Sequence, residues 1–270
     1  MLSNNINSWA HSTVPNYPIL FVTRWIPFNA WYVSISGTTN DRDSIQMLKA
    51  MPNNQLYDRI RHLVRKNKED FDCQSFQHEL NELEQLLQNR DFPSTADPLC
   101  FGIVEMGENN KREDHHAQAG FSYRVTRYGK DNPMNKPNKS IDVVIDKLTP
   151  PTSTVTISLS KHDYTELENM MKAKGLTAQQ KNIIRRLFKN VEPIKLVDVK
   201  NTKGGRIKIG KSLFCNDEDA ICAQIIDVLY GLRCKAAHGE IEYSQAIMPI
   251  YEHAFTMLNL ITKKFYYYGQ

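Results

Sequence analysis

Residues 229–240 read Leu229-Tyr230-Gly231-Leu232-Arg233-Cys234-Lys235-Ala236-Ala237-His238-Gly239-Glu240. Upstream, Ile221, Ile225, Val228, Leu229 and Leu232 recur at helical spacing, Asn216 or Asp217 offers a capping oxygen, and Glu218 and Asp219 fill the first turn. The segment predicts an apolar helix that stops near His238-Gly239. Its polar end carries the chemistry. A histidine takes or gives a proton near neutral pH, and an arginine holds a permanent charge on a fork of N–H donors shaped for phosphate. Arg233 and His238 together suit cleavage of a phosphodiester without a metal: the base activates a ribose 2′-hydroxyl, and the cation stabilises charge on the phosphorane-like transition state. That route acts on RNA and not on DNA. The same two residues also fit a structural role, as two cations at the carbonyl end of a helix dipole with His238 packed against its neighbours.

Working outward, a last helix is expected over Ser244–Phe265, with Ile247, Ile250, Ala254, Phe255, Leu258 and Ile261 as its apolar stripe. Near the other terminus, Trp25, Phe28, Trp31 and Tyr32 fall at i, i+3, i+6 and i+7, which predicts a buried aromatic helix starting close to Arg24, with Pro27 in its first turn. Two helical pieces follow between Asp43 and Lys66, broken by Met51-Pro52-Asn53-Asn54. Phe76, Leu80, Leu83, Leu86 and Leu87, with glutamates between them, mark an amphipathic helix capped by Asp72. The first ninety or so residues thus read as antiparallel helices, each offering one apolar stripe to a bundle.

Between Asp91 and Gln118 the periodicity dissolves into Pro, Asp, Asn and Gly, which reads as a linker. Residues 121–128, 141–146 and 154–159 then alternate as three short strands. Ser160, with Asp163 after it, opens a helix that Gly175 closes. Thr177-Ala178-Gln179-Gln180 matches a capping box for a helix bearing Ile183, Ile184, Leu187 and Phe188. Strand-like alternation returns over 191–211.

The composition is that of a globular chain able to bury a core: of 270 residues, 41% are apolar and 24% charged, and no apolar run approaches the ~18 residues of a membrane span. Met1-Leu2-Ser3-Asn4-Asn5 shows no basic cluster leading into an apolar block, so a cytoplasmic location is expected, with no membrane partner. The five cysteines are scattered and form no CxxC pair, so reduced thiols are expected. Charge is unevenly spread. Residues 1–110 hold 9 Lys/Arg against 13 Asp/Glu, 111–211 hold 21 against 10, and 212–270 hold 4 against 7. A basic middle concentrates polyanions, which makes nucleic acid the first partner class to test. There Tyr123, Arg124, Arg127, Tyr128, Lys130, Lys136 and Lys139 interleave rings with cations, a pattern that suits single-stranded RNA by stacking and phosphate contact. Strand alternation instead sends about half of them into a small sheet's own core. Glu113-Asp114-His115-His116 has metal-capable side chains, but as adjacent loop residues they match no zinc spacing, and neither metal nor cofactor is expected.

The Arg233 to His238 segment, an arginine and a histidine separated by four residues and followed by Gly239, resembles the Arg-x4-6-His signature of the HEPN superfamily, in particular Apea-like and phage-defence HEPN ribonucleases. Trp25-Ile26-Pro27-Phe28-Asn29-Ala30-Trp31-Tyr32 looks like the first helix of the same superfamily. The resemblance implies a mainly α, antiparallel helical bundle built from residues 20–90 and 212–265, interrupted by a basic α+β insertion over 100–211 and preceded by an extension over 1–19. It further implies a metal-independent endoribonuclease leaving 2′,3′-cyclic phosphate ends, with Arg233 and His238 catalytic and doubled across a homodimer. A defence or toxin–antitoxin setting, with an inhibitory partner protein, belongs to the same implication. Asn29, Lys235, Arg124, Arg127 and Tyr128 are the expected substrate-binding residues. Two positions depart from the family. Cys234 stands where a polar Asn, Asp or His is frequent, and would need a depressed pKa to act as a nucleophile. Glu240 stands where nucleotidyltransferase-linked HEPN toxins carry a modified Tyr, which argues against that subtype. The alternative is a non-catalytic module that binds RNA or a nucleotide. A purely structural interaction domain would instead close the groove around the pair.

Overall fold

The computed structural model describes residues 15–265 apart from 39, 66–68, 89–98, 131, 149–153, 241–244 and 264. The helices are α1 (Tyr17–Ser36), α2 (Asp41–Ala50), α3 (Gln55–Val64), α4 (Phe71–Gln88), α5 (Tyr164–Ala173), α6 (Ala178–Asn190), α7 (Glu218–Ala237) and α8 (Met248–Thr262). The strands are β1 (Ile103–Glu108), β2 (Glu113–Gln118), β3 (Phe121–Arg127), β4 (Ile141–Lys147), β5 (Thr154–Leu159), β6 (Ile194–Asp198), β7 (Arg206–Ile209) and β8 (Ser212–Cys215). The architecture is α+β, which corrects the mainly α bundle expected from sequence. A four-stranded antiparallel sheet has the order β2-β3-β4-β5, and two further pairs are β1 with β6 and β7 with β8. The linker reading of 91–118 missed β1 and β2 because their residues do not alternate apolar with polar. None of the six residues of β2, a polar edge strand, is buried. Residues 91–98 of that linker, and 1–14 of the expected extension, lie outside the described residues.

The chain divides into two compact units, Met1–Met106 with Leu196–Gln270, and Gly107–Lys195. In the first, α1 begins at Tyr17, a full turn and more before the expected start at Arg24. Asn16 accepts from the Ile19 N–H at 3.2 Å, and Pro18 occupies the first turn. Pro27 therefore sits inside the helix, where it lacks the N–H owed to the Thr23 carbonyl, at a cost of about 3 kcal/mol. Phe21, Trp25, Phe28 and Tyr32 make up the buried stripe, and each buried aromatic contributes about 1.5–3 kcal/mol, enough to offset the proline. Met51–Asn54 breaks α2 from α3 as the sequence predicts. Asp70 rather than Asp72 caps α4, its Oδ1 accepting from the N–H groups of Asp72 and Cys73 at 2.9 and 3.3 Å. Asp72 instead pairs with Arg59 at 2.8 Å and Lys263 at 2.9 Å.

Asp217 caps α7 through the Ala220 N–H at 3.0 Å. From Ala220 to Ile226 every residue of this helix is buried, as are Val228, Leu229 and Leu232. It contacts α1, α2, α3, α8 and β8, while α4 packs against α3 and α8. The β7–β8 hairpin turns at Gly210, whose φ of 58° is left-handed; a Cβ there would fall 2.5 Å from Asn81 Oδ1, the atom that accepts the Lys211 and Ser212 N–H groups.

In the second unit, Tyr123, Val125, Ile141, Val143, Ile145, Ile157 and Leu159 bury one face of the sheet against Leu167, Met171, Ile183, Ile184, Leu187 and Phe188 of α5 and α6. Asp163, not Ser160, caps α5 through the Thr165 and Glu166 N–H groups, whereas the Thr177–Gln180 capping box of α6 forms as read. Strand alternation sends Arg124, Thr154, Thr156 and Ser158 to solvent.

Candidate functional site

Arg233 lies near the end of α7 with 27% of its side chain exposed. Its Nη1 is 3.1 Å from Asp41 Oδ2, an ion pair out of line for a hydrogen bond, and 3.9 Å from Cys234 Sγ. Among the described residues its Nε and Nη2 have no partner, so one edge of the guanidinium is uncommitted. Asp41 is itself held from α1. Its Oδ1 accepts from Asn29 Nδ2 at 2.7 Å and from the Tyr32 hydroxyl, and Tyr32 Oη also accepts from Trp25 Nε1 at 3.1 Å. Burial, together with the Asp41 carboxylate, raises the Tyr32 phenol pKa, so it stays a neutral donor. Burial works against the Arg233 charge, but the Cys234 sulfur and the Asp41 carboxylate hold its pKa above the ordinary arginine value. The Tyr230 phenol is raised by burial and by its bond to Cys234. A relay from Trp25 through Tyr32, Asn29 and Asp41 thus sets the orientation of Arg233. Asn29 joins the site by holding the arginine's partner.

His238 is the C-cap of α7 and is exposed. Gly239 follows at φ 65°, the left-handed conformation that ends the helix. Five residues along a helix amount to about 7.5 Å of rise and about 140° of rotation, so Arg233 and His238 leave the helix on different sides. Among the described residues no hydrogen bond or ion pair joins the two side chains. Lys235 is buried, with Nζ 3.6 Å from Glu240.

In the second unit, Arg127 is buried; its Nε donates to the Val191 carbonyl at 2.8 Å and its Nη2 to the Asn109 carbonyl at 2.5 Å. Burial lowers its pKa. Tyr128 is buried too, donating to Asp142 Oδ2 at 3.0 Å. Both residues, expected on a substrate surface, face inward and support the unit's own fold. Arg124, Lys130 and Lys139 are exposed, while Lys136 pairs with Asp142 at 3.2 Å. Glu113-Asp114-His115-His116 forms β2 rather than a loop, and its side chains alternate between faces.

Sequence reasoning missed Asp41 and Tyr32. Asp41 reads as an acidic residue in the first turn of a helix capped by Asn40, a complete local explanation that hides a partner far away in the chain. Among the described residues no helix is long and apolar enough to cross a membrane. Comparison with protein-family models, with curated proteins and with solved structures finds no match.

Proposed function

We propose that the protein is a metal-independent endoribonuclease acting at the C-terminal end of α7. The observation that carries this reading is the uncommitted Nε/Nη2 edge of Arg233, held at the surface by Asp41 and Asn29, on the same helix end as the exposed His238. His238 takes the 2′-hydroxyl proton, the ribose oxygen attacks the adjacent phosphorus, and the bond from phosphorus to the 5′-oxygen breaks as His238 returns its proton to that oxygen, giving a 2′,3′-cyclic phosphate and a free 5′-hydroxyl. Arg233 binds the non-bridging oxygens and offsets the charge that builds on them. Because the two side chains diverge, a phosphate meets both only at the helix terminus, or where a second copy supplies the missing half. A twofold homodimer that doubles the pair is therefore part of the proposal.

The test is to incubate the protein and its His238→Ala variant with labelled single-stranded RNA and transfer RNA in EDTA, and to analyse the ends formed. Cyclic phosphate ends from the parent, lost in the variant, are expected. The divergence of Arg233 and His238 also favours a second reading, a module that binds RNA or a nucleotide without cutting it. RNA retained by both proteins with no fragments would support that reading and overturn the first.

A further inference from the structure

We propose that His62, Asp70 and Cys73 form a binding site for one transition-metal ion of the zinc class, clamping the end of α3 to the start of α4. The three side chains come from the last turn of α3, the N-cap of α4 and the first turn of α4, and one donor atom from each lies within 4.8 Å of the other two. Asp70 Oδ2 is 2.9 Å from His62 Nε2, and Cys73 Sγ is 3.7 Å from the same nitrogen. This excludes a relay of thiol, imidazole and carboxylate, because such a relay uses the two ring nitrogens separately. It is the arrangement of ligands around a common centre.

Zinc bonds of about 2.0–2.3 Å to oxygen, nitrogen and sulfur place tetrahedral donors about 3.3–3.7 Å apart. The sulfur–nitrogen separation already fits. The oxygen–nitrogen separation is a few tenths of an ångström short because a proton now sits between the two atoms, and the half-exposed His62 ring is free to open by that much. The donor set mixes thiol, imidazole and carboxylate, as zinc sites do. The surrounding shell holds it in place. Asp70 Oδ1 is tied to two backbone N–H groups, which leaves Oδ2 aimed at the ring. Gln77 Nε2 donates to the carbonyls of Leu63, Val64 and Arg65 at 3.2, 3.3 and 2.8 Å, fixing the end of α3 against α4 without any ion. With three protein ligands, a fourth position stays open to water on the exposed side of His62. The ion replaces the thiol proton, which passes to solvent, and neutral His62 binds through Nε2 with its ring proton on Nδ1. Burial and the nearby Asp70 carboxylate raise the Cys73 pKa, so the ion has to drive that proton off.

The experiment is a Co²⁺ titration of the full, reduced, metal-stripped chain, followed by absorption and then by Zn²⁺ displacement. Expected are a near-ultraviolet thiolate-to-cobalt band with the visible bands of a tetrahedral ion, saturating at one equivalent and bleached by zinc. Cys73→Ser loses the near-ultraviolet band. His62→Ala, which alters a half-exposed ring, keeps the far-ultraviolet dichroism of the parent and weakens Zn²⁺ binding by about tenfold or more. Cys100→Ser, which removes an exposed thiol elsewhere, leaves the spectrum unchanged. A parent protein with no thiolate band, or a band that survives Cys73→Ser and disappears with Cys100→Ser, overturns the site. Each readout is independent of ribonuclease activity.

Discussion

At the end of α7 in the first unit, Arg233 keeps 27% of its side chain exposed and sets one nitrogen against a carboxylate, leaving its other edge uncommitted. At the end of β3 in the second unit, Arg127 keeps 4% exposed and commits its nitrogens to the Val191 and Asn109 carbonyls. Both stand out in the sequence as cations suited to phosphate. What separates them is backbone position. Tyr123, Val125 and Arg127 share the inward face of a strand, so a long cation at the third of these positions can only run beneath the sheet's edge and bond to carbonyls. Arg233 lies on the partly exposed side of α7, between the buried Leu232 and Lys235. An arginine's neighbours in sequence say what it can bind; its place in the repeat of its element decides whether anything can reach it.

Three substitutions break or sharpen that contrast. Arg233→Ala is expected to lower RNA cleavage by about 10²–10³-fold, the usual size for a lost transition-state charge contact. Its unfolding free energy should stay within about 1 kcal/mol of the parent, since a partly exposed ion pair contributes little. Urea unfolding and cleavage rates measured on the same preparation test both. A large loss of stability with unaltered cleavage would make Arg233 a structural residue. Arg127→Ala should destabilise by about 3 kcal/mol, because it strips buried carbonyls of a charged donor. Arg127→Lys should not rescue it, since an ammonium does not reproduce the guanidinium fork. A denaturation midpoint equal to the parent's would erase the contrast altogether.

The smallest effect is expected at Asp142, which accepts from Ser158 Oγ at 2.7 Å and from the Tyr128 hydroxyl, and pairs with Lys136. Burial opposes its charge, but these three partners hold its pKa below the ordinary carboxylate value. A depressed carboxylate pKa adds stability above the unfolded value of about 4, and that stability disappears as pH falls through the lower folded value. Asp142→Asn should therefore cost about 1 kcal/mol at neutral pH, with the difference from the parent closing in acid below pH about 4. Urea midpoints at pH about 7 and about 3 test this; a gap independent of pH would show that the charge is not what matters.

Local chemistry was legible where one residue type admits one role. Thr177 and Gln180 cap α6, Asp217 caps α7, and Pro52-Asn53 divides α2 from α3. The fold class was not. Helices with long apolar stripes announce themselves, whereas β1 and β2, rich in Glu, Gly, His and Gln, carry too little apolar alternation to be distinguished from loop. Pro27 misled because the sequence weighs its missing N–H but not the aromatic packing that tolerates it. At the candidate site, Arg233 and His238 were visible as a pair, while Asp41 and Tyr32, which orient the arginine, belong to helices distant in sequence. No local pattern encodes a contact between residues 41 and 233.

The burial of the first half of α7, from Ala220 to Ile226, also imposes an order of events on synthesis. Helices α1 to α3 leave the ribosome first, yet α7, which all three contact, comes only after the second unit has been made. At about 5–20 residues per second the delay is on the order of ten seconds. The second unit, whose sheet and helices are contiguous in the chain, can close on its own during that interval. Until residues 218–232 arrive, the apolar surfaces of α1, α2 and α3 that meet α7 lack their cover, so the newborn chain exposes them before its candidate site exists.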